Sequence, residues 1–138
     1  MWVYVAAIVI IWLTYRWFRD QQTLGDHGDR YVLITGCDTG FGNLLAKELD
    51  KRGFHVFAGC LTDKGANELG KETSKNVKAV QLNVCSEESI RSVYSVVKTA
   101  LPDGKGLWGI VNNAGISGPP TPIEWCFKED YEKTLAIN

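Results

Sequence analysis

The feature that most constrains the fold of this chain is a glycine-rich segment between a short apolar run and a helix-like pattern. The segment reads Thr35-Gly36-Cys37-Asp38-Thr39-Gly40-Phe41-Gly42. The run before it, residues 31–34, has the length of a buried strand. The pattern after it places apolar residues at helical spacing, namely Phe41, Leu44, Leu45 and Leu49. A strand, a glycine turn and a helix in this order form the first unit of a dinucleotide-binding βαβ fold.

Each glycine of this segment has a distinct predicted role. Gly36 lets the chain turn sharply, Gly40 lets backbone N–H groups approach a pyrophosphate, and Gly42 lets the helix pack closely on the strand. The helix N-terminus adds unpaired N–H groups and a positive dipole end. An ordinary glycine-rich βα turn is the alternative, since short glycine patterns recur by accident.

A second motif, Asn112-Asn113-Ala114-Gly115, follows another strand-like run at residues 107–111. The two motifs together resemble those of the short-chain dehydrogenase/reductase family, which has Thr-Gly-x-x-x-Gly-x-Gly after its first strand and Asn-Asn-Ala-Gly after its fourth. Residues 31–45, 60–66 and 106–109 are similar, more narrowly, to its retinol dehydrogenase and hydroxysteroid dehydrogenase branch. The resemblance implies an α/β fold, a Rossmann-type doubly wound parallel sheet with strand order 3-2-1-4, present here as its N-terminal half.

The same resemblance implies a nicotinamide cofactor at the carboxyl ends of the strands. The candidate cofactor-binding residues are Thr35, Gly36, Asp38, Thr39, Gly40, Phe41, Gly42, Asn83, Val84, Asn113, Ala114 and Gly115. Thr35 is expected to tie the glycine loop to the Asn112-Asn113 segment, with Asn112 as structural glue. Asn83, which ends a strand-like run at 77–84, would accept a hydrogen bond from adenine through its amide oxygen. An ordinary turn residue is the alternative for Asn83.

The choice of cofactor is set where the second strand-like run, residues 55–61, ends. An acidic residue there binds the adenosine ribose hydroxyls, whereas Arg or Lys favours the extra phosphate. This chain has Cys60 and Leu61 at that point, with Asp63 and Lys64 slightly later. The absence of an Arg and the resemblance favour NAD, with NADP not excluded.

Asn138 is the candidate catalytic residue, because the resemblance matches residues 135–138 to the Asn of the family's Asn-Ser-Tyr-Lys arrangement. That Asn organises a proton relay, and a helix-terminal Asn without chemistry is the alternative. The family's Ser and Tyr-x-x-x-Lys elements lie beyond the fourth strand, where this chain has none. Tyr94 and Lys98 have the right spacing but precede that strand, on a helix-like pattern opened by Ser86. They are predicted to be coincidental surface residues.

By resemblance, the implied reaction is hydride transfer between the nicotinamide and the alcohol or carbonyl carbon of a lipophilic substrate, a retinol or a hydroxysteroid. We expect the chain to be a fragment that is inactive alone. A truncated isoform that binds nucleotide or a protein partner is the alternative. The family's strand order leaves the strand ending at Val111 at an open edge, which predicts poor solubility even without residues 1–20. Because the Ser and Tyr-x-x-x-Lys elements are missing, we also expect no alcohol oxidation.

Residues 1–19 are predicted to form a membrane anchor, residues 20–29 a polar linker, and residues 30–138 the cofactor-binding part of the domain. Residues 2–13 contain no charge, but a spanning helix needs about 20 apolar residues, so the run is short unless Arg16 snorkels. A signal peptide and a core or interfacial helix are the alternatives. Arg16 and Arg19 follow the apolar residues, which favours a cytosolic domain. The resemblance places it at the endoplasmic reticulum membrane.

Composition excludes several other classes of site. The four cysteines form no Cys-x-x-Cys pair, and the two histidines lack metal-ligand spacing, so no metal site is predicted. Free buried thiols are the expectation for the cysteines. A net charge of -1 without a basic stripe argues against nucleic acid as a partner. Homo-oligomerisation remains open.

Overall fold

The computed structural model describes residues 2–21, 25 and 27–138. Its elements in chain order are α1 (Trp2–Asp20), β1 (Tyr31–Thr35), α2 (Gly40–Lys51), β2 (His55–Cys60), α3 (Asp63–Glu72), β3 (Val77–Gln81), α4 (Glu87–Ala100), β4 (Gly109–Val111), a 3₁₀ turn (Ile123–Trp125) and α5 (Lys128–Ile137). The four strands form a parallel sheet in the order β3-β2-β1-β4. This confirms the Rossmann-type fold and the strand order. The strands predicted at 55–61, 77–84 and 107–111 are present but shorter.

The sheet is covered on both faces, as parallel sheets require. Alternate residues of β2 point to opposite faces, so Val56 joins one core cluster and Phe57 joins the other. The first cluster includes Ala46 of α2 and Leu69 of α3, and the second includes Val93 of α4. Helices α2 and α3 thus cover one face of the sheet, and α4 covers the other.

Helix α2 presents a different face to the sheet from the one that its apolar spacing suggested. Gly42 and Ala46 are buried, and Leu45 and Leu49 are partly buried against the core. The side chain of Phe41, by contrast, is 86% exposed. The buried residues follow the i, i+3, i+4, i+7 spacing from Gly42 rather than from Phe41. Helix α2 is turned about its axis relative to the predicted face, because Gly42 packs directly against the carbonyl oxygen of Gly36 in the preceding turn.

Helix α1 is exposed along its whole length, with no buried residue. No helix in the described part of the chain combines the length and the apolar character needed to cross a membrane. Membrane attachment by residues 1–19 therefore stays a prediction.

The predicted linker, residues 20–29, is described only in part. Asp20 belongs to α1, while residues 22–24 and 26 lie outside the described residues. His27 stacks on Phe54 with ring centroids 4.5 Å apart, and the neighbouring Arg30 guanidinium lies 5.2 Å from the ring centroid of Trp108. Phe54 precedes β2 and Trp108 precedes β4. The end of this segment is therefore packed against the amino ends of the strands rather than free.

Candidate functional site

A cavity of about 370 Å³ opens at the carboxyl ends of the strands. Ligands of open α/β sheets bind at this edge, where helices on opposite faces leave a crevice. The residues that line it follow β1, β2, β3 and β4, or lie at the end of α5. They are Gly36, Asp38, Thr39, Gly40, Phe41, Leu61, Leu82, Asn83, Val84, Asn113, Ala114, Gly115, Ile116 and Ile137. Ten of the twelve candidate cofactor-binding residues are among them, and Thr35 and Gly42 lie behind the wall.

The hydroxyl of Thr35 joins the glycine turn to the segment after β4. Thr35 is buried, and its Oγ1 accepts hydrogen bonds from the N–H groups of Asn113 at 3.0 Å and Ala114 at 2.9 Å. The side-chain amide of Asn113 donates in return to the carbonyl oxygens of Thr35 at 2.9 Å and Gly36 at 3.1 Å. The bridging amide is therefore Asn113, which corrects the expectation that Asn112 is the structural glue. These four bonds fix one wall of the cavity.

Close packing at the turn depends on two glycines. Gly36 has φ +71°, and a Cβ there would lie 2.8 Å from Cα of Ala114. A Cβ at Gly42 would collide with the carbonyl oxygen of Gly36. Any larger residue at either position must push the β4 segment or α2 away from β1.

The amino end of α2 faces the cavity. Gly40 and Phe41, its first two residues, line the cavity together with Thr39, the N-cap residue. The side chain of Thr39 makes no capping hydrogen bond. A Cβ at Gly40 would meet no atom within 4 Å, so there is open space beside the backbone here. Unpaired N–H groups and the positive end of the helix dipole favour an anion at this place.

Asp38 connects the glycine loop to the corner between β2 and α3. One carboxylate oxygen, Oδ2, accepts from the N–H of Leu61 at 2.6 Å. The other, Oδ1, accepts from the N–H of Thr62 at 2.9 Å and from its hydroxyl at 2.7 Å. Burial raises the pKa of Asp38, but the hydroxyl of Thr62 and the two N–H groups outweigh it and hold the pKa below the ordinary 3.8. The side chain is therefore an anion at neutral pH.

Asn83 has a structural role at the end of β3. Its side-chain oxygen accepts from the N–H of Cys85 at 3.0 Å, and its own N–H donates to the hydroxyl of Ser89 at 2.9 Å. This is the turn geometry that the sequence left open as the alternative. A carbonyl oxygen has a second lone pair, so contact with adenine stays a prediction.

Asn138 is not among the residues that line the cavity, although the preceding residue, Ile137, is. Its side-chain oxygen accepts from the N–H of Ile116 at 2.9 Å, and its side-chain nitrogen donates to the carbonyl oxygen of Ile116 at 3.1 Å. Both bonds hold the end of α5 against the segment after β4, which brings Ile137 to the cavity wall. The described geometry thus gives Asn138 a structural role, and its catalytic role stays a prediction.

Tyr94 and Lys98 are remote from this chemistry. Both lie on α4 and neither lines the cavity. The ammonium of Lys98 lies 5.9 Å from the centroid of the Tyr94 ring, and the Tyr94 side chain is exposed. This placement agrees with the prediction that Tyr94 and Lys98 are surface residues whose spacing matches the catalytic motif by coincidence.

Sequence reasoning missed four apolar residues of the wall. Leu61 follows β2, Leu82 follows β3, Ile116 follows the second motif, and Ile137 ends α5. None of them was among the candidate cofactor-binding residues, although Leu61 stands where the cofactor choice is set and Ile137 lies in the run that ends at Asn138. The available signal was position, since Leu61 ends the second predicted strand and Leu82 lies near the end of the third, where ligands of such sheets bind.

The cysteines are free, but only two of them are buried. Burial raises the pKa of Cys37 to about 12 and that of Cys60 to about 11, so both are neutral thiols packed in the core. Cys85 is exposed and Cys126 is half-buried, which corrects the expectation of four buried thiols. The residues that the structure describes hold no group of three or more His, Cys, Asp or Glu side chains suited to a metal ion.

Curated relatives match the chain along its whole length. Retinol dehydrogenase 16 of Mus musculus is 49% identical over 138 residues, and 17-beta-hydroxysteroid dehydrogenase type 6 of Homo sapiens is 48% identical over the same residues. In both cases the match covers 100% of this chain and 43% of the relative. The chain therefore spans less than half the length of the relatives that it matches.

Solved structures share the fold. A 3-ketoacyl-(acyl-carrier-protein) reductase from Brucella melitensis, crystallised with NADH, superposes with a TM-score of 0.74 at 26% identity, over 81% of this chain and 45% of that one. A serine dehydrogenase from Escherichia coli gives 0.68 at 27% identity, over 78% and 48%. Residues 30–138, which contain the sheet and every residue of the cavity wall, match the family model described as short chain dehydrogenase, and the chain belongs to that family.

Proposed function

We propose that the cavity binds a nicotinamide dinucleotide, with NAD preferred, and that the protein transfers hydride to or from the alcohol or carbonyl carbon of a lipophilic substrate. The observation that supports this best is the open amino end of α2 beside a turn that Thr35 and Asn113 lock to the segment after β4. Such a cradle offers backbone N–H groups and a helix dipole to a pyrophosphate.

The residues present fit this cofactor. The open space at Gly40 admits a pyrophosphate close to the backbone, and the apolar side chains of Leu61, Leu82 and Ile116 provide surfaces for flat rings. When bound, the cofactor supplies the hydride chemistry, while this chain's residues bind and orient it.

The substrate class rests on the relatives, whose names are those of retinol and 17-beta-hydroxysteroid dehydrogenases. Because the chain spans 43% of their length, we propose nucleotide binding for these residues and hydride transfer for a protein of the relatives' length. We also propose that α1 holds the protein at the endoplasmic reticulum membrane with its domain in the cytosol. The exposed apolar side chains of α1 and the positions of Arg16 and Arg19 support this.

A second candidate is nucleotide binding without catalysis. It is favoured by one observation: no tyrosine or lysine is among the described residues that line the cavity. General acid/base chemistry on an alcohol needs a titratable group within hydrogen-bond reach, and the one titratable side chain in the described wall, Asp38, is already held by Leu61 and Thr62. Nucleotide binding is common to both candidates and is therefore the property to measure.

The experiment is an NADH titration of the 138-residue chain, followed by the fluorescence of the nucleotide. In the variant Thr39→Glu, a carboxylate stands at the N-cap of α2, where it suits the helix dipole but repels a pyrophosphate. We expect at least tenfold weaker NADH binding. Asn67→Glu, which adds the same charge at an exposed position of α3, should bind within about twofold of the parent. A parent chain that binds no NADH, or a Thr39→Glu variant that binds as the parent does, would contradict the proposal.

A further inference from the structure

The corner between β2 and α3 is the place where dinucleotide folds distinguish the ribose of adenosine. The residues that follow β2 here supply no acidic side chain to the cavity wall. Leu61 lines the wall, whereas Asp63, the first residue of α3, does not. A carboxylate is nevertheless present at this corner. It belongs to Asp38 of the glycine loop, which lines the cavity and is hydrogen-bonded to Leu61 and Thr62.

The hydrogen bonds of Asp38 leave it one acceptor position. A carboxylate has about four lone-pair sites, two on each oxygen. Oδ1 accepts two hydrogen bonds from Thr62, and Oδ2 accepts one from Leu61. The remaining site is therefore on Oδ2, which can accept a hydrogen bond from one hydroxyl group of a ligand.

The position of this carboxylate is fixed from the side of α3 as well. The hydroxyl of Thr62 donates to Asp38 and accepts from the N–H of Gly65 at 3.0 Å. A Cβ at Gly65 would lie 2.5 Å from Oδ1 of Asp38. Only glycine at this position lets the carboxylate approach the amino end of α3, where the helix dipole also favours an anion.

The electrostatics of the corner oppose a second anion. None of the described residues that line the cavity is a lysine or an arginine. The nearest basic residue along the chain, Lys64, is 84% exposed, and its ammonium lies 3.9 Å from the carboxylate of Glu68. A phosphate on the ribose would meet the charge of Asp38 with no cation to balance it.

We propose that Asp38 is the residue that selects the unphosphorylated adenosine ribose, and hence NAD over NADP. Its free acceptor site binds a ribose hydroxyl, and its charge excludes a 2′-phosphate. This inference rests on the proposed function, because it concerns the same cavity. It assigns to the glycine loop a selection that the end of β2 makes in other dinucleotide folds.

The test uses two fragments that differ only at the ribose, 5′-AMP and adenosine 2′,5′-bisphosphate, with affinities measured by calorimetry on the 138-residue chain. Neither fragment needs a catalytic step. We expect the parent chain to bind 5′-AMP at least tenfold more tightly than the bisphosphate. In Asp38→Asn, which removes the charge and keeps the size, this preference should fall by roughly tenfold. Asp63→Asn removes an equal charge outside the wall and should keep the preference.

The outcomes separate the two proposals. If the parent binds both fragments equally, or if Asp38→Asn keeps the parent's preference, Asp38 is not the selecting residue, although nucleotide binding stands. If the parent binds neither the fragments nor NADH, the proposed function fails and this inference fails with it. Should Asp38→Asn not fold by circular dichroism, Leu61→Arg replaces it. An arginine beside Asp38 supplies the missing cation, and an unchanged preference in that variant would overturn the electrostatic account.

Discussion

The hydroxyl group of Thr35 makes two of the four hydrogen bonds that join the two motifs, although Thr35 and Asn112 are 77 residues apart in the sequence. Oγ1 of Thr35 is the acceptor for two consecutive backbone N–H groups after β4. Thr35 is 8% exposed, so water cannot replace that acceptor without a rearrangement. A buried donor that loses its acceptor costs more free energy than a typical hydrogen bond contributes.

We therefore predict that Thr35→Val lowers the free energy of unfolding by about 1–3 kcal/mol, because two partly buried N–H groups lose their acceptor. It should also weaken NADH binding, since the cavity wall is released. The measurement is urea unfolding followed by circular dichroism, together with the NADH titration. Thr99→Val is the matched control. Its hydroxyl bonds only the carbonyl of Ser95 on the exposed side of α4, so a change below about 0.5 kcal/mol is expected. Equal effects of the two substitutions would contradict this account.

The ionisation of Asp38 makes the stability of the fold depend on pH. Its folded-state pKa lies below the ordinary 3.8, so ionised Asp38 stabilises the fold above about pH 4. This contribution is lost as the pH falls through the folded pKa. We predict that the urea midpoint of the parent falls between about pH 4 and pH 2 more steeply than that of Asp38→Asn. In Asp103→Asn, which alters an exposed loop carboxylate, the steep fall should persist. Parallel curves for the parent and Asp38→Asn would show that Asp38 contributes nothing.

The sequence identified the cavity residues better than it identified their roles. Motif spacing was enough to bring Gly36, Asn113 and Ala114 to one wall, because glycine loops and strand ends occupy fixed places in a parallel sheet. Motif spacing does not specify which of two adjacent amides turns inward, and here that amide is Asn113 rather than Asn112. The sequence also does not predict which groups donate hydrogen bonds to Asp38, since Leu61 and Thr62 are 23 and 24 residues away.

At the scale of elements, the orientation of α2 depends on its contact with the preceding turn. Apolar spacing predicted the helix correctly, but it placed Phe41 and Leu44 on the apolar face. Both side chains are exposed, and that of Leu44 is 63% exposed. A hydrophobic pattern records which residues are apolar, whereas the packed face is chosen by shape. Gly42 is the position where α2 meets the carbonyl oxygen of Gly36, so the face that contains Gly42 and Ala46 turns inward.

Two glycine-to-alanine substitutions test this contact. Gly42→Ala places a Cβ against backbone atoms that cannot move aside, and we predict a loss of about 1–3 kcal/mol in the free energy of unfolding and weaker NADH binding. Gly70→Ala lies within α3, where a Cβ meets nothing within 4 Å, so the helix should gain about 0.5–1 kcal/mol. The opposite signs, measured by urea unfolding, distinguish the contact from general helix propensity. A neutral or stabilising Gly42→Ala would show that α2 does not depend on this contact.

For the molecule as a whole, the described residues form a cavity whose wall contains neither a tyrosine nor a lysine. We predict that the 138-residue chain binds NADH but forms no NADH from NAD and an added retinol or hydroxysteroid, because no tyrosine or lysine is in the described wall. Absorbance at the NADH band measures this directly. Alcohol oxidation above the rate of the Thr39→Glu variant would contradict the prediction and would require a proton acceptor elsewhere in the chain.

The sequence predicted the strand order and, with it, that β4 lies at one edge of the sheet. The sequence did not specify how much of the exposed surface at β4 is apolar. Ile110 within β4 is 58% exposed, and Trp108 beside it is 57% exposed. An edge strand whose N–H and C=O groups are unpaired, flanked by apolar side chains, pairs readily with other chains.

We predict from this edge that the 138-residue chain self-associates through β4 as well as through α1. Ile110→Lys puts a charge on the edge strand, Ile8→Lys puts one on the exposed face of α1, and each should raise the monomer fraction in sedimentation velocity. If the two surfaces act independently, the effects add in the double variant. Ile90→Lys is the control, because Ile90 is exposed on α4, where the backbone hydrogen bonds are satisfied within the helix. A monomeric parent chain, or an Ile90→Lys effect equal to that of Ile110→Lys, would show that the open edge of β4 does not drive association.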